Sequence, residues 1–258
     1  MTKHTFLITG ASDGIGAVYA DRLAKRGHDL ILAARRPDKL ADLAERLRAE
    51  TGVAVETLAA DLGKAEDLAR IEARLRGDEA ITGLINNAGI AGETGFVEAD
   101  PAHLTALIDL NILAVTRLSA AIAPRLAARG GGAIVNLGSI TALMPDDFTA
   151  AYPASKAYVL AFTEALQAEL GPKGVRVQAV LPGITRTPIW DEAQLANIPA
   201  EMVMDVGDMV DAALAGLDRG ETVTIPALPD MADYDAYIAA RTALRPNLSR
   251  SAPAARYL

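Results

Sequence analysis

Along the chain, short runs of apolar and β-branched residues alternate with longer segments in which Ala and Leu recur among Arg, Glu and Asp. The short runs predict strands at 4–9, 29–34, 53–58, 81–86, 132–138, 174–180 and 221–225. Between them the longer segments predict helices at about 14–26, 38–50, 64–76, 101–128, 152–170 and 205–218. Strands that alternate with helices imply a parallel sheet reached by crossovers, with helices on both faces. The expected fold is therefore α/β, a Rossmann-type doubly wound parallel sheet of about seven strands. No repeat or low-complexity linker interrupts the rhythm, so residues 1–258 are read as a single dinucleotide-binding catalytic domain. Two segments depart from it. Residues 184–204 mix Pro, Trp and Met after a strand, as a substrate lid does, and the tail at 245–258 is either loosely ordered or tied to a neighbouring subunit.

The 258 residues are 51% hydrophobic, enough apolar side chain for a sizeable core. Twenty-five Lys and Arg against 33 Asp and Glu give a net charge of −8. That balance disfavours nucleic acid and anionic membrane as partners, since both reward a basic surface. A small-molecule partner is expected instead. The absence of cysteine removes thiolate metal sites, iron–sulfur clusters and thiol nucleophiles. His4, His28 and His103 are scattered, so no metal site is expected. The N-terminal apolar run is too short for a signal peptide, and the uncharged stretch 130–145 is too short to span a bilayer, which together predict a cytoplasmic protein.

Directly after the first strand stands Thr9-Gly10-Ala11-Ser12-Asp13-Gly14-Ile15-Gly16, opening a helix. Glycines let the backbone turn sharply against a pyrophosphate, and a helix N-terminus offers free N–H groups to the anion. Ala17 stands where a nucleoside-triphosphate loop needs Lys, which points to a dinucleotide. The second strand ends in Ala33-Ala34-Arg35-Arg36 and lacks the acid that holds a ribose 2′-hydroxyl. Arg35 and Arg36 suit a 2′-phosphate through bidentate, charge-assisted hydrogen bonds, so the expected cofactor is NADP(H).

Tyr152-Pro153-Ala154-Ser155-Lys156 opens the long fifth helix, and a spacing of four puts phenol and ammonium on one face. A Tyr has an ordinary pKa near 10, and a neighbouring Lys156 cation is expected to draw it towards neutrality for general acid–base work. Lys156 is also long enough to reach a cofactor ribose. Ser139 follows the strand at 132–138 and lies at the carboxyl end of the sheet, where its hydroxyl can donate to a substrate carbonyl. Asn86-Asn87-Ala88-Gly89 ends the fourth strand beside the same crevice.

In these motifs the sequence resembles the short-chain dehydrogenase/reductases in their small single-domain form, over roughly residues 5–225. The resemblance rests on TGASDGIG at 9–16, Asp61-Leu62, NNAG at 86–89, Asn111, the Ser139/Tyr152/Lys156 spacing and Pro182-Gly183, all in family order. It implies a catalytic tetrad of Asn111, Ser139, Tyr152 and Lys156, with Lys156 and Asn111 linking Tyr152 to a proton-relay water. It also implies cofactor contacts from Gly10, Ser12, Asp13, Gly14, Ile15 and Gly16, from Asp61 and Leu62 to the adenine, and from Asn87, Ala88 and Gly89 near the nicotinamide ribose. Carboxamide contacts are implied for the turn holding Pro182, Gly183, Thr185 and Thr187. Thr185 departs from the branched apolar residue usual in the family.

Substrate contacts are expected from Ile140, Met144 and Phe148, and from Trp190 and Met202 in the lid. Ala154, Ala157, Ala161, Ala165 and Ala168 recur at three and four on one helix face, a small-residue stripe that permits close helix approach. With the family resemblance this implies a homodimer or homotetramer. The expected activity is NADP(H)-dependent hydride transfer between nicotinamide and a carbonyl or secondary alcohol. The competing expectation is a redox sensor or scaffold that binds the dinucleotide without turnover.

Overall fold

The computed structural model describes every residue except Met1, Thr2, Glu93, Thr94, Phe148, Ile189 and Asp191. The chain forms two compact units, Met1–Pro226 and Ala227–Leu258. The first unit carries seven parallel strands: β1 (Thr5–Thr9), β2 (Asp29–Ala34), β3 (Val55–Ala59), β4 (Ile81–Asn86), β5 (Gly132–Leu137), β6 (Val175–Val180) and β7 (Val223–Thr224). Their order is β3-β2-β1-β4-β5-β6-β7, all parallel, as a doubly wound Rossmann-type sheet requires. The order reverses at β1, so the carboxyl ends of β1 and β4 open the crevice in which such sheets bind ligands.

The helices of this unit are α1 (Gly14–Lys25), α2 (Pro37–Thr51), α3 (Ala65–Gly77), α4 (Pro101–Ile108), α5 (Val115–Arg129), α6 (Ala151–Leu170), α7 (Glu192–Ala196) and α8 (Val206–Arg219). Side chains of β1 alternate between two apolar cores. Phe6 and Ile8 pack with Tyr19, Leu23, Leu40, Leu47 and Leu214 on one face. Leu7 packs with Ile71, Leu75, Leu118, Ile122 and Leu126 on the other. A strand displays successive residues to opposite faces, which is why the unbroken apolar run Phe6-Leu7-Ile8 feeds both layers.

The expected elements form with three differences. The single helix expected at 101–128 is interrupted by a π-helical stretch at Asp109–Ala114, between α4 and α5. Among the described residues this run, Pro101–Arg129, is long and apolar enough to cross a membrane, but half of its most apolar window is buried. The strand expected at 221–225 shrinks to two residues. The stretch at 184–204 is pinned at its base, where Arg186 N–H donates to the Met204 carbonyl and Met204 N–H to the Ile184 carbonyl, each at 2.9 Å. The second unit holds α9 (Ala232–Ala243), absent from the expectation; Tyr234 is its one buried residue. The tail beyond it is exposed and has only short turns at Arg245–Asn247 and Ala255–Tyr257.

Candidate active site

The glycine turn is built for close backbone approach. Gly10 and Gly14 adopt left-handed φ values of 64° and 51°. A Cβ at Gly16 would lie 2.4 Å from the Gly10 carbonyl oxygen and 2.6 Å from Asn87 Nδ2. Asn87 fastens this turn to the end of β4. Its Nδ2 donates to the carbonyls of Thr9 (2.9 Å) and Gly10 (3.1 Å), while the Asn87 and Ala88 N–H groups donate to Thr9 Oγ1. The side chain expected near the nicotinamide ribose thus braces the pyrophosphate turn. Asp13 caps α1 by accepting from Gly14 N at 3.0 Å. Ile15 is partly buried against the first core, and the Thr187 side chain lies over Gly14, 3.5 Å from where a Cβ would stand.

At the end of β2, Arg36 Nη2 donates to Ser12 Oγ (3.1 Å) and Asp13 Oδ2 (3.2 Å). Lys39, in the first turn of α2, donates to the same Asp13 oxygen at 2.8 Å. The expectation for this corner held Arg35 and Arg36 but omitted Lys39; its signal was the three-residue spacing from Arg36 across a helix start. Lys39 and Arg36 together hold the Asp13 carboxyl below its usual range, with the Lys39 hydrogen bond the main cause. Arg35 is exposed. Asp61 is half-buried and its carboxylate accepts from Gly63 N at 3.1 Å, whereas Leu62 is buried in the second core.

The catalytic candidates converge. Ser139 leaves β5 and caps a short turn, its Oγ accepting from Thr141 N at 3.2 Å, so its own proton remains to be donated. Tyr152 stands in the first turn of α6, with Ser139 close enough to its phenol to favour the ionised form. Lys156, one turn on, is buried and donates from Nζ to the Leu137 carbonyl at 2.9 Å. Asn111 lies in the π-helical stretch: Oδ1 accepts from Ile90 N (2.9 Å), and Nδ2 donates to the Ile90 carbonyl (2.9 Å) and Ser155 Oγ (3.2 Å). Ser155 Oγ in turn donates to the Tyr152 carbonyl at 2.7 Å. Gly89 completes the cluster, since a Cβ there would meet Asn111 Oδ1 at 3.0 Å and Lys156 Nζ at 3.8 Å.

The electrostatics differ from the expectation. Burial pushes the Tyr152 phenol up, and the Ser139 hydrogen bond opposes this. Burial likewise pushes Lys156 down to about 8. The ammonium sits over the Tyr152 ring, 5.6 Å from its centroid, and bonds a main-chain carbonyl. The net effect at Tyr152 is a pKa raised by burial, opposite in direction to the expected shift towards neutrality.

Pro182 and Gly183 follow β6, and Pro182 accepts from Ile140 N at 3.1 Å. Thr185 is buried, and its hydroxyl donates to the Gly183 carbonyl at 3.2 Å, which satisfies the polar atom that replaces a branched apolar group. Met144 and Met202 are exposed, Trp190 is half-buried with its main-chain N–H donating to the Thr187 carbonyl, and Phe148 lies outside the described residues. A cleft lined by Phe96, His103, Leu104, Thr149 and Ala151 borders the start of α6.

The fold and this site define a dinucleotide-linked oxidoreductase. A family model described as short chain dehydrogenase matches residues 4–197, and the chain belongs to that family. It is 50% identical to a short-chain dehydrogenase from Sphingobium yanoikuyae solved in complex with NADPH, with a TM-score of 0.95 over 99% of this chain and 100% of the other. A bulky-bulky ketone specific alcohol dehydrogenase from Comamonas testosteroni is 45% identical, with a TM-score of 0.93 over 100% of both chains. The very-long-chain 3-oxoacyl-CoA reductase of Anas platyrhynchos is 38% identical over 181 residues, 68% of this chain. The chain spans 58% of the length of that curated relative.

Proposed function

We propose that the protein is an NADP(H)-dependent reductase of ketones that carry bulky apolar substituents, running the reverse alcohol oxidation as well. The observation that carries this reading is the Lys156 ammonium 5.6 Å from the centre of the Tyr152 ring and one turn along the same helix, with Ser139 beside the phenol at the end of β5. The residues present fit a phosphorylated dinucleotide. Gly10 and Gly16 let the turn close tightly against Asn87, where a Cβ on either would clash, and the start of α1 that follows offers its N–H groups to a pyrophosphate. Arg35, Arg36 and Lys39 supply cations where a 2′-phosphate attaches. When bound, the reduced nicotinamide supplies the hydride.

The chain's own groups move the proton. Ser139, with its oxygen already accepting from Thr141 N–H, donates its hydrogen to the substrate oxygen and polarises the carbonyl. Tyr152, kept neutral by burial, gives its proton to the oxygen as negative charge develops there. Lys156 places a cation beside the phenol and stabilises the phenolate that remains. Asn111 has its amide committed to Ile90 and Ser155, so it acts by holding the main chain around Tyr152. It is not a proton carrier through its side chain.

Bulky ketones are favoured by the activities of two relatives, a bulky-bulky ketone specific alcohol dehydrogenase and a very-long-chain 3-oxoacyl-CoA reductase. Exposed apolar side chains support the same choice: Phe96, Met144 and Met202 are 63%, 40% and 58% exposed. The reading includes a homodimer or homotetramer in the cytoplasm. Ala154, Ala161, Ala165 and Ala168 support the assembly, because they form an exposed small-residue face on α6. The test is NADPH binding by fluorescence, then NADPH oxidation with a panel of diaryl ketones, long-chain 3-oxo esters, small keto acids and sugars. Consumption led by the bulky apolar ketones is expected; binding with no consumption across the panel contradicts the reading.

A further inference from the structure

The loop that follows β4 is tied down from two directions. Asn87 and Ala88 give their N–H groups to Thr9 Oγ1, and the Asn111 amide bonds both the N–H and the carbonyl of Ile90. These ties serve the cofactor side of the loop. The next carbonyl, that of Ala91, is held from α4: His103 Nε2 lies 3.1 Å from it, and because a carbonyl only accepts, the imidazole donates. Gly92 then stands beside the catalytic helix. A Cβ there would lie 2.7 Å from Thr149 Oγ1 and 3.6 Å from Tyr152 Cβ. The cleft that His103, Gly92 and Thr149 share has about 20 Å³ of free space, room for about one water molecule, so the loop and the start of α6 are close to touching. Phe96, Ala99 and Leu104 add apolar lining to it.

We propose that His103 is a positioning residue for substrate selection: by holding the Ala91 carbonyl it keeps Gly92 against Thr149 and Tyr152, and so fixes the wall that a bulky ketone substituent meets beside the phenol. The proposal rests on the bulky-ketone reading above. A glycine has more backbone conformations open to it than any other residue, so a tether one residue before Gly92 has the most freedom to restrict. A wall ordered in advance contacts the substituent without a further ordering cost on binding. The tether is half-buried, and an Ala91 carbonyl that lost it would turn towards water. Asn111 would still fix Ile90, so the displacement begins at Ala91 and leaves Asn87, Ala88 and Gly89 in place. The role of His103 is therefore separable from cofactor binding.

The test uses two variants of the whole protein: His103→Leu, which keeps apolar bulk and removes the donor, and His103→Gln, whose amide N–H can replace it. NADPH oxidation is measured with a diaryl ketone and with a small methyl ketone, NADPH affinity by fluorescence, and the NADPH-bound crystal structure of each variant is solved. His103→Leu is expected to raise KM for the diaryl ketone about three- to tenfold, the effect of one neutral hydrogen bond. Its kcat, its NADPH affinity and its KM for the methyl ketone are expected to stay within about twofold of wild type. His103→Gln is expected to recover most of the loss. In the crystals Gly92 draws away from Thr149 in the Leu variant and stays beside it in the Gln variant. Weakening of NADPH and both ketones together would show a general structural role and overturn the proposal. So would a diaryl ketone KM that is unchanged or lower, or a Gln variant no better than Leu. A wild type that turns over neither ketone overturns the bulky-ketone reading instead, and the position of Gly92 in the Leu crystal then decides the tether by itself.

Discussion

Lys156 shows how a functional residue opposes stability. Its pKa falls from 10.5 to about 8 on burial, so the folded chain holds that proton less tightly than the unfolded chain. The penalty is complete below pH 8 and is relieved as pH rises from 8 to 10.5, the sign expected for a buried cation. Lys156→Met removes it and is expected to raise stability at pH 7 by about 3 kcal/mol while turnover is lost. Thermal unfolding of the cofactor-free variant checks this; a lower melting temperature than wild type would contradict it. At this scale the sequence was legible where chemistry depends on residue type and spacing, as for Ser139, Tyr152 and Lys156. It was not legible where chemistry depends on direction. Nothing in the spacing of Tyr152 and Lys156 says that the ammonium faces the ring and a main-chain carbonyl, or that Asn87 turns towards the glycine loop.

Elements were read well where an apolar period met a turn signal. The boundaries of β1, β2 and β4 fall within a residue of the sequence pattern, because Gly10, Arg35 and the Asn86-Asn87 pair end apolar runs abruptly. The π-helical stretch at Asp109–Ala114 was hidden, since an apolar pattern runs through it unbroken and only packing decides where an extra residue is absorbed. That stretch carries Asn111 to Ile90 and Ser155. At the opposite end of the sheet, β1 and β2 are joined through histidines. His4 N–H donates to His28 Nδ1 at 3.3 Å, and His4 Nδ1 is hydrogen-bonded to Thr82 Oγ1 at 2.9 Å. Both imidazoles titrate below 6.5, chiefly because of burial. The unfolded chain then binds protons more readily, so stability is full above pH 6.5 and is lost as pH falls through the folded pKa values. A melting temperature that drops between pH 7 and 5, with a shallower drop in His28→Asn, is expected from scanning fluorimetry. An Asn carbonyl can still accept the His4 N–H. A flat profile in the wild type would contradict the assignment.

For the whole molecule, the total of −8 conceals a basic corner at Arg35, Arg36 and Lys39, placed at the cofactor end of the sheet rather than spread over the surface. Net charge argues against polyanionic partners, but only three-dimensional placement shows which cations meet. The exposed alanine face of α6 belongs to the same scale, because its use requires a second copy of the chain. Light scattering at micromolar concentration is expected to give two or four times 27.0 kDa; a monomer would contradict the assembly reading. In the proposed reaction one group, Tyr152, gives a proton to the substrate oxygen. NADPH oxidation by Tyr152→Phe, with a bulky aromatic ketone and with NADPH affinity measured alongside, tests it most directly. The expected result is cofactor binding within about twofold of wild type and turnover reduced by roughly a thousandfold or more. Turnover within about tenfold of wild type would contradict it.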